Sequence, residues 1–237
     1  MDTNASIQTR LIAVRERIAQ AELRFGREPG AVQLLAVSKT FSVECILGAI
    51  RAGQQQFGEN YFQEAQEKIA DGRLSAAAVE WHYIGPVQGN KAARIACVFD
   101  WVHTVDKPAI AERLNQQRPA HLPPLNICLQ VNVSAESTKG GVSLDQLPGL
   151  AVAMLDLPRL RLRGLMAIPK PAADFAQQRL PFRALRKAFD QLRATGLALD
   201  TLSMGMSDDL EAAIAEGATL VRVGTAIFGA RQASEVL

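Results

Sequence analysis

The sequence has few cysteines, few aromatic residues and no long apolar run. Its three cysteines, Cys45, Cys97 and Cys128, are far apart, odd in number and outside any metal-ligand spacing. This argues against a disulfide framework and a zinc site, and it favours a reducing cytoplasm with the cysteines as small buried side chains. No stretch approaches the roughly 18 apolar residues of a spanning helix. The N-terminal segment lacks the apolar core of a secretory signal.

An excess of charge of either sign is also absent. The chain has 26 basic and 24 acidic residues among 237, which is a formal net charge of +2. Surfaces that bind nucleic acid or membranes need a basic excess, so we expect neither partner. The 48% hydrophobic and 21% charged fractions are typical of a folded globular protein and exclude a disordered chain.

Apolar periodicity divides the chain into alternating helices and strands. An apolar residue recurs every three or four positions from Ile7 to Phe25, which predicts an N-terminal helix over residues 1–27 packed on the rest. Eight strand-like runs follow, at 32–39, 55–60, 79–85, 101–106, 125–133, 160–169, 201–205 and 220–229. Helical patterns lie between them, among them 43–52, 108–117, 144–155, 182–195 and 208–216.

This alternation leaves two α/β architectures, a doubly wound open sheet or a closed barrel. A doubly wound nucleotide fold needs a glycine-rich turn after its first strand, and here that strand is followed by Lys39-Thr40. Eight units in a chain near the roughly 250 residues of a standard barrel favour closure. We therefore predict a single (β/α)8 TIM barrel, with residues 1–237 forming one domain and no second domain.

Two charged residues on predicted strands are candidates for chemistry. Arg222 alternates with Val221 and Val223, so it faces the barrel interior, where its charge needs either an internal salt bridge or a bound electron-rich group. Lys39 ends the first strand beside apolar neighbours. Burial would favour a neutral amine able to attack a carbonyl, whereas a solvated rim lysine is the plainer alternative.

Other polar residues lie at the same edge of the barrel. The loops after strands 7 and 8, where such barrels often bind phosphate, contain Ser203, Ser207, Gly224 and Thr225, although each alone fits ordinary turn chemistry. His82 is an acid or base, or a structural imidazole in the interior, and we favour the structural role. The remaining candidates are Asn60, Asn132, Met166 and, in a polar loop, Lys139, which we expect to be solvated.

A set of motifs, in order along the chain, resembles the pyridoxal 5′-phosphate homeostasis protein family. They are LAVSK ending at Lys39, FGEN ending at Asn60, WHYIG at 81–85, QGNK at 88–91, GLM ending at Met166, SMGMSDD at 203–209 and RVGTAIFG at 222–229. The resemblance implies an alanine-racemase-like barrel holding pyridoxal phosphate (PLP) as an internal aldimine on Lys39, with no metal. It places Arg222 at the pyridine nitrogen and Ser203, Gly224 and Thr225 at the phosphate, with Ser207 as a further cofactor-binding residue. Asn60 and the backbone of Met206 line the pocket, with His82 and Met166 as weaker candidates.

Two functions remain open, a non-catalytic PLP carrier and a PLP-dependent racemase. The resemblance implies a cytoplasmic carrier in vitamin B6 homeostasis, a monomer that passes PLP to apo-enzymes. A racemase of this fold needs a second domain and a tyrosine base, whereas this sequence has only Tyr61 and Tyr83. We favour the carrier. A cofactor-free phosphosugar isomerase would need a carboxylate base at a strand end, for which only Glu59 and Asp106 qualify.

Overall fold

The computed structural model describes residues 3–75, 77–134, 136 and 140–230. Lys139 lies outside the described residues. The strands are β1 (Gln33–Val37), β2 (Gln56–Glu59), β3 (Glu80–Tyr83), β4 (Trp101–Val105), β5 (Leu125–Gln130), β6 (Leu160–Met166), β7 (Thr201–Ser203) and β8 (Leu220–Val223). The helices are α1 (Thr3–Arg24), α2 (Val43–Arg51), α3 (Phe62–Ile69), α4 (Gly72–Ser75), α5 (Ala92–Val98), α6 (Pro108–Gln117), α7 (Leu147–Ala153), α8 (Phe175–Ala194), α9 (Leu210–Ala215) and α10 (Thr225–Phe228).

The eight strands form one closed parallel barrel in chain order. β1 closes the cylinder by pairing with β8, with Gln33 opposite Leu220 and Ala36 opposite Val223. The predicted TIM barrel is confirmed. Because all strands run the same way, the residues that follow them meet at one rim, where barrels of this type place their functional sites.

Three features differ from the sequence prediction. The eighth strand ends at Val223, and Thr225–Phe228 form α10 instead of continuing the strand. The helix predicted at 182–195 begins at Phe175 and contains Pro181, although a proline lacks the N–H that a helix interior uses. The short helices α3, α4 and α5 were not predicted, because few residues carry their periodicity.

The N-terminal helix α1 lies against α2, α9 and α10. Its predicted apolar stripe is buried, from Ile7 to Ala21. Three arginines on α1 also bind backbone carbonyls of the barrel loops. Arg10 donates to Ile227 in α10, Arg15 to Ala52 at the end of α2, and Arg17 to Ser207 after β7. This helix therefore contacts the loops after both β7 and β8.

The cysteines form no disulfide among the described residues. Cys128 is buried and Cys45 half-buried, whereas Cys97 is exposed, so the expectation that all three are buried is wrong for Cys97. Burial raises the pKa of the Cys128 thiol to about 12. Within the described ranges, no helix combines the length and apolarity that a bilayer crossing requires, and no three His, Cys, Asp or Glu side chains group as metal ligands.

Candidate functional site

A cavity of about 360 Å³ opens at the carboxyl ends of the strands. Its size suits a small organic ligand, since such sites span roughly 300–1,000 Å³. The cavity brings together seven of the residues singled out in the sequence: Lys39, Asn60, Met206, Ser207, Arg222, Gly224 and Thr225. Val37, Ile84, Ile168 and Asp208 complete the lining. Residues that are distant in sequence therefore converge on one pocket.

Lys39 is half-buried, directly after β1. An ionic cluster of the buried Lys68 and Glu59 with the half-buried Glu64 braces the backbone on both sides of it. The Lys68 ammonium donates to the Ser38 carbonyl at 2.8 Å, to Glu59 at 2.8 Å and to Glu64 at 2.6 Å. We call these three residues the Lys68 cluster. It limits the backbone movement of the residue before Lys39.

The Lys68 cluster also binds the residues that flank Lys39 through its carboxylates. Glu59 accepts from the Ser38 hydroxyl at 2.6 Å, and Glu64 accepts from the Thr40 amide at 2.5 Å. Thr40 has a φ of +67°, in the left-handed region that β-branched residues rarely adopt. Such a conformation persists only where surrounding contacts impose it. The Lys39 turn is therefore held in a set shape by one buried bond at Ser38 and one exposed bond at Thr40.

Glu59 itself does not line the cavity. Its side chain is fully buried, and burial raises its pKa, although the ammonium of Lys68 opposes that rise. One carboxylate oxygen, Oε2, is buried with no hydrogen-bond partner among the described residues. A carboxyl enclosed in this way and bonded to Lys68 serves the Lys39 turn rather than a ligand in the cavity.

Arg222 projects from β8 into the interior and is 4% exposed. Its guanidinium donates to the Ser203 carbonyl at 2.6 Å, the Ser203 hydroxyl at 2.7 Å and the Ala167 carbonyl at 2.9 Å. All three acceptors are neutral. Burial lowers the pKa of Arg222 to about 10, while the charge of Asp209 acts to raise it, so the group stays cationic at neutral pH.

The bonds of Arg222 leave donors available on the cavity side. A guanidinium has five N–H groups, and the three hydrogen bonds leave at least two without an acceptor among the described residues. The cavity holds a buried cation whose partners do not neutralise it. This is the geometry expected of the functional alternative for Arg222, a contact with a bound electron-rich group.

Further polar groups line the cavity opposite and beside Arg222. The Asn60 Oδ1 oxygen is buried and has no hydrogen-bond partner among the described residues. The hydroxyls of Ser207 and Thr225 make no bond within the described part of the chain. The amide of Met206 is occupied by Asp209 Oδ1 at 2.6 Å. Met206 lines the cavity, and the N–H of the backbone contact expected from the sequence is engaged by Asp209.

Three residues expected at the cofactor lie below the cavity instead. The Ser203 side chain is fully buried, and its hydroxyl is bonded to Arg222 and to His103. His82 is fully buried and bonded to His103, which fits the structural role favoured for it. Met166 packs in a cluster of buried residues with Trp101 and Cys128. Ser203 is therefore not part of the cavity lining but contacts Arg222, which is.

The sequence analysis missed His103 and Lys68. His103 lies between Val102 and Thr104 on β4, and the period-two alternation with Trp101 would have placed it in the interior. Lys68 resembles a solvated lysine on an amphipathic helix, and nothing in its neighbours along the chain shows that it is buried.

A second cavity of about 470 Å³ adjoins the first and shares Asn60, Ile84 and Ile168 with it. It contains Asp106 and Gln130 at the ends of β4 and β5, together with Gly89 from the loop at 88–91. Asn132, a further strand-end candidate, bonds to the backbone of Glu136 instead of lining either cavity. The loop at 88–91 therefore borders the second cavity and not the Lys39 pocket.

Comparison with known proteins gives the same family from sequence and from structure. The family model of the alanine racemase N-terminal domain matches residues 10–232. The chain is 53% identical over 226 residues to the pyridoxal phosphate homeostasis protein of Escherichia coli K12, covering 95% of this chain and 97% of that one. It is 55% identical to the Pseudomonas aeruginosa protein of the same name, covering 96% of each.

Solved structures extend the comparison. PipY of Synechococcus elongatus with PLP bound has a TM-score of 0.81 and 36% identity, covering 94% of this chain and all of that one. A Bifidobacterium adolescentis protein described as unknown has a TM-score of 0.88 and 36% identity, covering 96% and 97%. An alanine racemase of Clostridium difficile has a TM-score of 0.74 at 12% identity, with 98% and 59% covered, which shows the shared fold alone.

Proposed function

The chain belongs to the pyridoxal phosphate homeostasis protein family, and we propose that it binds PLP in the Lys39 cavity and holds it without catalytic turnover. The observation that carries the proposal is one cavity lined by an amine, a buried cation and two hydroxyl groups, and of these only the two hydroxyls make no side-chain hydrogen bond in the described part of the chain. These come from Lys39, Arg222, Ser207 and Thr225. They match the aldehyde, the ring and the phosphate of PLP.

PLP supplies an aldehyde and an electron-withdrawing ring. Lys39 would hold PLP through its amine, the group with which an aldehyde condenses. Arg222 donates a hydrogen bond at the ring nitrogen and keeps its own proton, since its pKa of about 10 is well above neutral. A donor that keeps its proton would leave that nitrogen unprotonated and so would weaken the withdrawal of electrons by the ring. This arrangement favours holding PLP over carbanion chemistry.

The phosphate is bound by the hydroxyls of Ser207 and Thr225 and by the turn at Gly224. Gly224 packs closely on β1, since a Cβ there would lie 3.1 Å from the Val37 carbonyl oxygen. Ser203 supports Arg222 in place of the phosphate contact expected from sequence. Asn60 contributes its buried side-chain amide oxygen, Oδ1, which can accept a hydrogen bond from a hydroxyl such as the one on the PLP ring.

The lining of the Lys39 cavity supports a carrier over a racemase. Its titratable groups among the described residues are Lys39, Asp208 and Arg222. Tyr83 is buried, donates to the Pro86 carbonyl, and has its pKa raised by burial, while Tyr61 is exposed outside the cavity. Two-base proton transfer needs a second group aimed at the reacting carbon, and neither tyrosine supplies it.

The same lining disfavours the isomerase alternative, because Glu59 is buried against Lys68 and Asp106 lines the neighbouring cavity.

We further propose that the protein is a cytoplasmic monomer whose recipients are PLP-dependent apo-enzymes. The single domain over residues 1–237 is part of this proposal.

The test of PLP attachment is reduction of the PLP-loaded protein with borohydride, followed by peptide mapping. We expect one modified residue, Lys39, and no modification in Lys39→Ala. Lys187→Ala, on the exposed face of α8, is the matched control and should label like the parent. Undiminished labelling of Lys39→Ala would overturn the assignment.

The carrier role is tested by two further measurements. Incubation of the PLP-loaded protein with each amino acid, followed by chiral analysis, should show no steady turnover. Mixing it with a PLP-free aminotransferase should restore transaminase activity. Sustained racemisation of any amino acid would replace the carrier by the enzyme.

A further inference from the structure

Five buried or half-buried polar side chains form a continuous path through the barrel interior. It starts at Arg222, which lines the cavity. Arg222 donates to the Ser203 hydroxyl at 2.7 Å, that hydroxyl lies 2.8 Å from His103 Nδ1, and His103 Nε2 lies 2.9 Å from His82 Nδ1. His82 Nε2 then lies 3.4 Å from the carboxylate of Glu80. We call these residues the interior chain.

The two ends of the interior chain assign every proton along it. Arg222 can only donate, so the Ser203 oxygen accepts from it and its O–H is free to donate to His103 Nδ1. His103 then carries its proton on Nε2 and donates to His82 Nδ1. His82 in turn carries its proton on Nε2, facing the Glu80 carboxylate, which can only accept. The three hydrogen bonds run in one direction, and the 3.4 Å contact of His82 Nε2 with Glu80 continues it, from cation to anion.

The opposite arrangement leaves a donor unused. If His82 were doubly protonated, His103 would receive at Nε2 and donate from Nδ1 to Ser203. The Ser203 oxygen would then accept from both Arg222 and His103, and its own O–H would have no acceptor in this part of the interior. Both imidazoles are fully buried, which disfavours the charged form. The one-directional arrangement is therefore the favoured one.

The far end of the interior chain is held in place independently. Glu80 Oε1 accepts from the Trp101 indole at 2.6 Å, and Oε2 accepts from Gln56 at 2.8 Å. The His82 ring stacks on Trp101 with centroids 5.3 Å apart and planes 9° from parallel. The link from His82 to Glu80 is the longest and least aligned, because His82 Nε2 makes no regular hydrogen bond among the described residues.

We propose that His103 is a positioning residue for Arg222, acting through the Ser203 hydroxyl. The proposal rests on the proposed function, because Arg222 is taken to bind the PLP ring nitrogen. A hydrogen-bonded row with all donors aligned polarises each member in the same sense. The Ser203 oxygen is therefore a stronger acceptor, and the guanidinium is held with its remaining N–H groups toward the cavity.

The proton arrangement is tested in the PLP-free protein by ¹⁵N NMR of the histidine rings. We expect neutral His82 and His103, each with Nε2 protonated and Nδ1 bare. A proton on Nδ1 of His103 would overturn the proposal. This measurement needs no cofactor, so its failure is distinct from a failure to bind PLP.

The effect on the site is tested with His103→Leu, which removes both bonds, and His103→Gln, which retains one acceptor and one donor. We expect about tenfold weaker PLP binding and a shifted absorption maximum of bound PLP in His103→Leu. His103→Gln should retain most of the parent's PLP affinity and an absorption maximum close to that of the parent. Cys128→Ala is the control for general loss of packing, because Cys128 lies in the same barrel interior but is not one of the five residues of the interior chain.

Two outcomes of this comparison would contradict the role of His103. One is an unshifted spectrum in a folded His103→Leu, and the other is an equal shift in Cys128→Ala. If His103→Leu does not fold, Ser203→Ala replaces it, with Ser203→Thr as the variant that keeps the hydroxyl. An unchanged spectrum and affinity in Ser203→Ala would count against the proposal in the same way.

Discussion

Lys68 Nζ lies 2.8 Å from the carbonyl oxygen of Ser38, the residue directly before Lys39. Lys68 belongs to α3 and is 6% exposed, so a buried ammonium from a neighbouring unit fixes the end of β1. The amine proposed to hold PLP therefore depends on a second lysine that never reaches the cavity.

Lys68→Met should destabilise the protein severely. It leaves the Glu59 carboxyl, which is fully buried, without its cation, and breaking one partner of a buried pair costs about 3–5 kcal/mol. The free energy of unfolding in urea measures this loss. Adding Glu59→Gln should recover part of it, and Lys187→Met on the surface should change it by under about 0.5 kcal/mol. A loss near that of Lys187→Met would mean that the Lys68 cluster is not a buried ion pair in solution.

Glu80 should make the stability depend on acid. The His82 ring, whose Nε2 lies 3.4 Å from the carboxylate, is the largest cause that lowers the Glu80 pKa, from 4.5 to about 2, against the opposing effect of burial. A carboxyl with a lowered folded-state pKa stabilises the fold above its unfolded pKa, and that contribution is lost as the pH falls. The difference in unfolding free energy between the parent and Glu80→Gln should be constant above about pH 5 and shrink toward pH 2. An increase in this free-energy difference as the pH falls would contradict the prediction.

Gly85→Ala should distort the cavity, because the added Cβ would collide with the backbone of the lining residue Asn60. A Cβ at Gly85 would lie 2.0 Å from the carbonyl oxygen of Asn60, a backbone atom that cannot yield cheaply. We expect Asn60 to be displaced and PLP affinity to fall at least tenfold, measured by spectroscopic titration. Gly149→Ala is the control, because nothing lies within 4 Å of its Cβ and alanine suits the interior of α7. Equal affinities in the two variants would contradict the clash.

The arginines of α1 should control how fast PLP leaves. Arg10 and Arg17 bind carbonyls of α10 and of Ser207, next to the proposed phosphate site, whereas Arg15 binds the end of α2. Replacing Arg10 and Arg17 by alanine should raise the PLP release rate about fivefold, as expected for the loss of a charged hydrogen bond. Transfer to an excess of apo-aminotransferase gives this rate. Arg15→Ala is the matched control, and an equal acceleration there would indicate general loosening of α1.

Sequence patterns predicted much of the site because the barrel places every strand end at one rim. Lys39, Asn60, Arg222 and Thr225 each follow or belong to a strand whose period is readable. Alternation was enough to turn Arg222 inward. Ser203 is fully buried against Arg222 and His103, and the strand pattern shows that it faces inward but not how deep it lies.

What the sequence alone determined is the order of eight βα units, their closure and the amine and guanidinium at the rim, since these depend on periodicities along the chain. The tertiary structure alone decided which polar side chains meet across the barrel. His103 joins Ser203, 100 positions away, and Lys68 reaches Ser38 from another unit. Hydrogen bonds between strands and helices depend on register and depth, and local sequence carries neither quantity.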